Sequence, residues 1–218
     1  MKLVIGVCGL PAAGKSTFIK FCERFLSKHG LSSKCFKMSY ALFHYYRSKF
    51  KELFNIEKYE DATREAMQKI GDIARTELGN TAVAILTHRL IEESVRNEQP
   101  VDVIFIDGVR DYGEVAYFAQ KFGSAFFLVA IEADFNVRAK RVMKRFEGKK
   151  DLIDLEKFKK DDVWEEEKYK RTLMAARRYL KNPQRFFIIR NNGTKKEFET
   201  ASHEVLKKIF SIAEGSHP

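Results

Sequence analysis

The sequence predicts an α/β fold built on a five-stranded parallel sheet. Three observations carry that prediction. Five short apolar runs recur along the 218 residues, and stretches with helical spacing of apolar positions separate them. Hydrophobic residues make up 44% of the chain, enough for a sizeable core. Alternation of this kind puts helices on both faces of a sheet whose strands are buried and therefore continuously apolar.

The first strand is Leu3–Cys8. Its apolar run is broken by Gly6 and Gly9 and carries no small-residue cleavage site, so it reads as a buried strand rather than a leader. Lys15–His29 has helical spacing and stops at Gly30, and Lys34–Met38 is a short second strand. The interval before the third strand is too long for one crossover. It reads as helices over Tyr40–Phe54, Asp61–Leu78 and Thr81–Asn97, with Gly79 as a stop and Asn80 or Thr81 as a cap. Val101–Ile106, Ala125–Ile131 and Arg185–Arg190 are the remaining strands. Between the last two, Glu147–Lys160 is charged and reads as a small mobile lid, followed by a charged, solvent-facing helix over Asp161–Lys181. The tail Glu214–Pro218 is expected to fray. The organisation expected is a core of residues 1–39 and 98–218, with the lid at about 147–160 inside it, and a helical insertion of residues 40–97.

Composition narrows the class. No apolar run approaches the roughly 20 residues that span a bilayer, so no membrane association is expected. Cys8, Cys22 and Cys35 have neither metal-ligand nor disulfide spacing, which fits reduced thiols in the cytoplasm. Forty Lys and Arg against thirty Asp and Glu leave a formal charge of +10. That surplus suits a polyanionic ligand, either a nucleotide or a nucleic acid, and equally a basic solvated surface. His44 and His88 have no matching nucleophile or metal partner and read as structural.

The most specific signal is Gly9-Leu-Pro-Ala-Ala-Gly14-Lys15-Ser16, a complete phosphate-binding loop between a strand and a helix. The glycines let successive backbone N–H groups turn toward phosphate oxygens, and the helix beginning at Lys15 adds its positive dipole end. Gly9, Ala12, Ala13, Gly14, Lys15, Ser16 and Thr17 are thus the expected ATP-binding residues. Lys15 would reach the β- and γ-phosphates, and the Ser16 hydroxyl would ligate Mg²⁺. Asp107 ends the third strand at the carboxyl edge of the sheet and is the second expected metal-side group. Asp102 lies at the opposite edge.

Further segments resemble nucleoside monophosphate kinases. Phe105-Ile-Asp107-Gly-Val-Arg110 resembles that family's strand-end segment, in which the Asp supports the Mg²⁺ shell and the Arg grips the acceptor phosphate. The family's proline is missing from the turn. Phe126–Asp134 with Arg138, Arg141 and Arg145 resembles the fourth strand and the helix entering the lid. Arg190–Thr194 resembles the segment beside the adenine, which implicates Asn192 and Gly193. Asp107–Val115, Phe158–Asp162 and Asn191–Thr194 together look like archaeal P-loop proteins related to dephospho-CoA kinase, and like phage-type deoxynucleoside monophosphate kinases. Arg64-x6-Gly71-x3-Arg75 resembles the second group. One departure is Gln184-Arg185, where those relatives often carry Ala-Asp. The resemblance implies a P-loop fold of nucleotide-kinase type, with an acceptor-binding insertion and ATP and Mg²⁺ as cofactors.

An acceptor that is already a phosphate monoester needs no general base, whereas an alcohol benefits from a carboxylate. Lys37-Met-Ser-Tyr-Ala41, after the second strand, offers no acid, which favours a phosphate acceptor, although Asp107 is an available base. Arg64, Arg75 and Arg110 are the expected acceptor-binding cations, with Arg47 a further candidate. The lid would add the catalytic Arg145, with Lys149 and Lys150. Phe43-His-Tyr-Tyr46 is either a base-stacking cluster or core. The insertion and lid cations have no assured local acidic partners, so the empty site is expected to be open. Three readings follow: a kinase of nucleoside or deoxynucleoside monophosphates, a dephospho-CoA kinase-like enzyme, and an RNA-associated P-loop ATPase or kinase. The last has the least support, because no RNA-binding module is appended.

Overall fold

The computed structural model describes residues 3–97, 100–146 and 155–215. Strands β1 (Leu3–Cys8), β2 (Ser33–Lys37), β3 (Val103–Asp107), β4 (Phe126–Glu132) and β5 (Phe186–Arg190) form one all-parallel sheet in the order β2-β3-β1-β4-β5. β1 is central and buried along its whole length, Gly6 included, as a strand without a polar side chain requires. With a phosphate-binding loop leaving this central strand, the arrangement is of the P-loop NTPase type.

Nine α-helices are described: α1 (Lys15–Lys28), α2 (Met38–Tyr45), α3 (Arg47–Phe54), α4 (Arg64–Leu78), α5 (Ala82–Asn97), α6 (Tyr112–Phe122), α7 (Phe135–Phe146), α8 (Leu155–Tyr179) and α9 (Lys195–Glu214). Strand alternation sorts the core by face. Leu3, Ile5 and Val7 of β1 pack with Phe18 and Phe21 of α1 and Phe198 and Leu206 of α9. Val4 and Cys8 pack on the other face with α5, α6 and α8. A third cluster, built from Phe43, Phe50, Ile56, Ile70, Ala74 and Leu86, belongs to the segment running from α2 to α5. Helix α5 joins this cluster to the sheet: Ala82 and Leu86 face the insertion, and Ala84 and Ile91 face the sheet.

Two expectations need correction, and the expected lid is only partly within the described residues. Tyr40–Phe54 is not one helix but two, separated at Tyr46, whose hydroxyl donates to Glu77 of α4 at 2.6 Å. Of the expected lid, residues 147–154, including Lys149 and Lys150, lie outside the described residues, and Leu155–Lys160 are the first turns of α8. There, Phe158 packs against Phe135 of α7 with ring centroids 5.6 Å apart. Nor is α8 only a solvent-facing helix, since it buries Asp162, Glu165, Thr172, Ala175 and Ala176. Of the 43–46 aromatics, Phe43 and Tyr46 are buried in the insertion core, His44 is exposed, and the Tyr45 hydroxyl donates to Glu93. Among the described residues, no helix is long and apolar enough to cross a membrane. The three cysteines are unpaired, and burial pushes Cys8 and Cys35 up to about 12 and raises Cys22 as well.

Candidate active site

The chain leaves β1 toward β2 at one edge of the sheet and leaves β4 toward β5 at the other. The crevice this creates lies at the carboxyl ends of the central strands, where open α/β sheets bind ligands. The loop Gly9–Gly14 crosses it. Gly9 has φ 142°, and a Cβ there would overlap the Ile131 carbonyl oxygen. Gly14 has φ 118°, and a Cβ there would overlap the Asn191 amide. Only glycine satisfies both the backbone angle and the close approach at these two positions. No side chain caps α1, and its first turn carries no acid. Its leading N–H groups and dipole are therefore directed at the loop's concavity.

Lys15 is half-buried and folds back along the loop, donating to the carbonyls of Gly9 at 2.7 Å and Leu10 at 3.1 Å. Burial, aided by the nearby Arg110 guanidinium, lowers its pKa to about 8, with the Asp107 carboxylate opposing. Lys15 thus feels the fields of both Asp107 and Arg110. The strand register explains the position of Asp107. It sits opposite Val7 of β1 and Lys37 of β2, level with the start of the phosphate loop. After it, the N–H groups of Gly108 and Val109 both donate to the Val7 carbonyl, folding the turn against β1. Glu114 then accepts the N–H groups of Arg110 at 2.7 Å and Asp111 at 3.1 Å, which fixes the point where Arg110 leaves the sheet. Burial raises Glu114 to about 7.

Ser16 is exposed in the first turn of α1, and Thr17 follows it half-buried. A serine hydroxyl and an aspartate carboxylate are hard oxygen donors. They suit Mg²⁺ that keeps several waters and takes its remaining ligands from phosphate.

Asn191 sits closer to the loop than Asn192 does. Asn191 is buried and donates its amide to the Ala13 carbonyl at 2.7 Å. Asn192 instead accepts from the Asp134 N–H at 2.9 Å, and Gly193 lies against Glu197 in the cap of α9. Arg141 of α7 donates to the carbonyls of Ala12, Ala13 and Asn191, so it sits on the phosphate loop itself. The resemblance places Arg141 only beside Arg138 and Arg145, on the helix entering the lid. Arg145 is on α7, with its side chain outside the described residues.

Arg64 opens α4 with Thr63 as its N-cap. Among the described residues it has no local acidic partner but finds distant ones: Asp161 and Glu165 of α8 each accept from it at 3.0 Å. Arg110 lies 3.7 Å from the same Glu165 oxygen. Arg75 pairs with Asp72 of its own helix at 2.6 Å. Lys168 is shifted down by burial, with Glu165, Arg75 and Arg110 among its electrostatic neighbours. It adds a cation that sequence reasoning missed. Its only sequence signal was its place one turn after Glu165.

No protein-family model matches the chain. Over 217 residues it is 29% identical to a UPF0200 protein of Thermococcus onnurineus, covering 96% of this chain and 99% of that one. It is 32% identical over 142 residues to a UPF0200 protein of Methanoregula boonei, covering 65% and 66%. Neither name states an activity. Among solved structures it is similar to TT1252 of Thermus thermophilus, at 15% identity and a TM-score of 0.48 over 94% of this chain and 97% of that one.

Proposed function

We propose that the protein is an ATP-dependent phosphotransferase that moves the γ-phosphate of ATP to a nucleoside or deoxynucleoside monophosphate. One observation carries the reading. A complete phosphate loop, whose Lys15 has Arg110, Asp107 and Glu165 as electrostatic neighbours, adjoins two acceptor-side arginines, Arg64 and Arg110, gathered on the Glu165 carboxylate at 3.0 and 3.7 Å. Phosphoryl transfer is mostly positioning and charge neutralisation, and cations on both sides of the transferring group supply both. In this reading Gly9, Ala12, Ala13, Gly14, Lys15, Ser16 and Thr17 hold ATP. Asn191 and Arg141 brace the loop, and Ser16 and Asp107 hold Mg²⁺, which would neutralise developing charge when bound. The test is ADP release against a panel of ribo- and deoxynucleoside monophosphates, dephospho-CoA and tRNA. Turnover only with dephospho-CoA or tRNA would overturn the proposed acceptor.

Asp107→Asn is expected to lower kcat about a hundredfold while leaving ATP affinity within about threefold, because the work assigned to it is on the metal in the transition state. Steady-state kinetics with a matched ATP-binding titration checks the split. A variant that loses stability but keeps kcat would return Asp107 to a structural role.

Affinity for an ATP analogue is expected to fall as pH rises through about 8. Above that pH Lys15 is neutral in the empty site, and polyphosphate favours its charged form. Binding then takes up a proton, and affinity drops by up to about tenfold per pH unit. Calorimetry in buffers of different ionisation enthalpy measures the uptake. Proton release on binding would contradict the assignment.

A further inference from the structure

Glu165 is the group around which the acceptor-side cations converge, yet a carboxylate there would repel the phosphate they are proposed to bind. Its side chain is only 8% exposed, and its Oε1 is 3.0 Å from Arg64 and 3.7 Å from Arg110. These arginines come from α4 and from the turn after β3, and Glu165 comes from α8. The contact therefore ties the insertion, the sheet edge and α8 together. Arg64 stands at the first position of α4, where a positive charge opposes the helix dipole. Its compensation comes from Asp161 and Glu165, about a hundred residues away. A guanidinium recognises a carboxylate and a phosphate in the same planar, two-oxygen way.

We infer that Glu165 is a resident stand-in for the acceptor phosphate, holding Arg64 and Arg110 together in the empty site until a phosphate monoester displaces it. The inference rests on the proposed phosphotransferase reading and adds a threshold to it. A ligand must be anionic enough to take both arginines from Glu165. A phosphate monoester, with a charge of about −1.5 to −2 at neutral pH, is favoured over a single carboxylate. A nucleoside has no group that can do so. Displacement releases the α4 side of α8. The Asp162 contact of α8 with Arg138 of α7 does not involve the acceptor cations and persists. Helix α8 then stays joined to α7 while its tie to the insertion loosens.

The alternative to exclude is a permanent brace, in which Glu165 only fastens α8 to α4. The two differ in the sign of one effect. For a stand-in, Glu165→Gln removes the competitor and tightens monophosphate binding. For a brace, the same change leaves binding unchanged or weakens it. A natural reporter lies next door: Trp164 is the only tryptophan, is half-exposed, and has the Lys168 ammonium 3.5 Å from its ring centroid.

The experiment is calorimetric titration of the full chain, wild type and Glu165→Gln, with 5′-monophosphates of the common ribo- and deoxynucleosides and with the matching nucleosides. Trp164 emission is followed in parallel. At least one monophosphate should bind the wild type and change Trp164 emission. It should bind Glu165→Gln about tenfold more tightly, or about 1.4 kcal/mol. The nucleoside should show neither effect. Equal or weaker binding to folded Glu165→Gln, or unchanged Trp164 emission at saturation, overturns the stand-in and leaves the phosphotransferase reading in place. No monophosphate binding to either protein overturns both. If Glu165→Gln does not fold, Asp161→Asn removes the exposed half of the Arg64 contact and should tighten binding about threefold. No gain there counts against the stand-in equally.

Discussion

Lys15→Ala is expected to abolish phosphoryl transfer, by at least about a thousandfold in kcat, while leaving the protein as stable as before or slightly more so. The two halves of this expectation have separate causes. In the reading proposed here, the Lys15 ammonium stabilises charge on the β- and γ-phosphates as the bond breaks. A fixed cation or donor in such a place is worth about 3–4 kcal/mol of barrier or more. The empty fold gains little from Lys15, which, among the described residues, donates to the Gly9 and Leu10 carbonyls of its own loop. Its folded pKa of about 8 lies below its ordinary value of 10.5. A depressed lysine pKa means that the folded state binds this proton more weakly than the unfolded chain does. At neutral pH the charged side chain therefore opposes folding, and its removal relieves that cost. Coupled ADP release and thermal unfolding of the same preparation test both halves. Full activity in a folded variant would remove Lys15 from the chemistry. A large loss of melting temperature would show that the loop depends on its two carbonyl contacts.

Local chemistry made part of this legible in the sequence. The phosphate loop is encoded within eight residues, because the glycine spacing, the preceding strand and the following helix are all neighbours in the chain. The strands were readable because both faces of a parallel sheet are covered, which leaves runs such as Phe126–Ile131 without polar interruption. Contacts made at a distance were not readable. Nothing between Tyr40 and Phe54 breaks a helix by propensity. The chain breaks at Tyr46, which is buried against the insertion core and bonded to Glu77, 31 residues on. Leu155–Lys160 carries enough charge to resemble a loop. It becomes helix because Phe158 finds Phe135 on α7. Asn191 and Asn192 are interchangeable by composition. Only the pairing of β5 with β4, extended by the Asn191 N–H to the Glu132 carbonyl at 2.7 Å, turns the first of them toward the loop. The acidic partners of Arg64 are about a hundred residues away, and no local pattern announces them.

Asp162→Ala is expected to destabilise the protein by about 3–5 kcal/mol, which for a chain of this length lowers the melting temperature by roughly 6–20 °C. Arg138 and Asp162 are both buried, and the guanidinium grips the carboxylate with both terminal nitrogens. Removing the carboxylate leaves an arginine that cannot shed its charge in a place where water does not reach. The remaining Arg138 contacts, from Nε to the Ala133 carbonyl at 2.9 Å and from the guanidinium to the Phe135 ring at 5.7 Å, do not replace the lost anion. Replacing both residues together, as Arg138→Met with Asp162→Leu, is expected to recover most of the loss, since burial of apolar surface then takes the place of a costly ion pair. Thermal unfolding of the single and double variants tests the pair. A loss under about 1 kcal/mol for Asp162→Ala would mean that water reaches Arg138 and that the pair is not sealed. The double variant also separates stability from activity. Arg138 lies one turn before Arg141, the residue that touches the phosphate loop, and Asp162 lies one turn before Glu165, which faces the acceptor cations. If the pair acts only as a fastener, the apolar double variant keeps both neighbours in register and retains kcat. If the rigid, two-pronged geometry of the ion pair sets the angle between α7 and α8, stability returns while kcat does not.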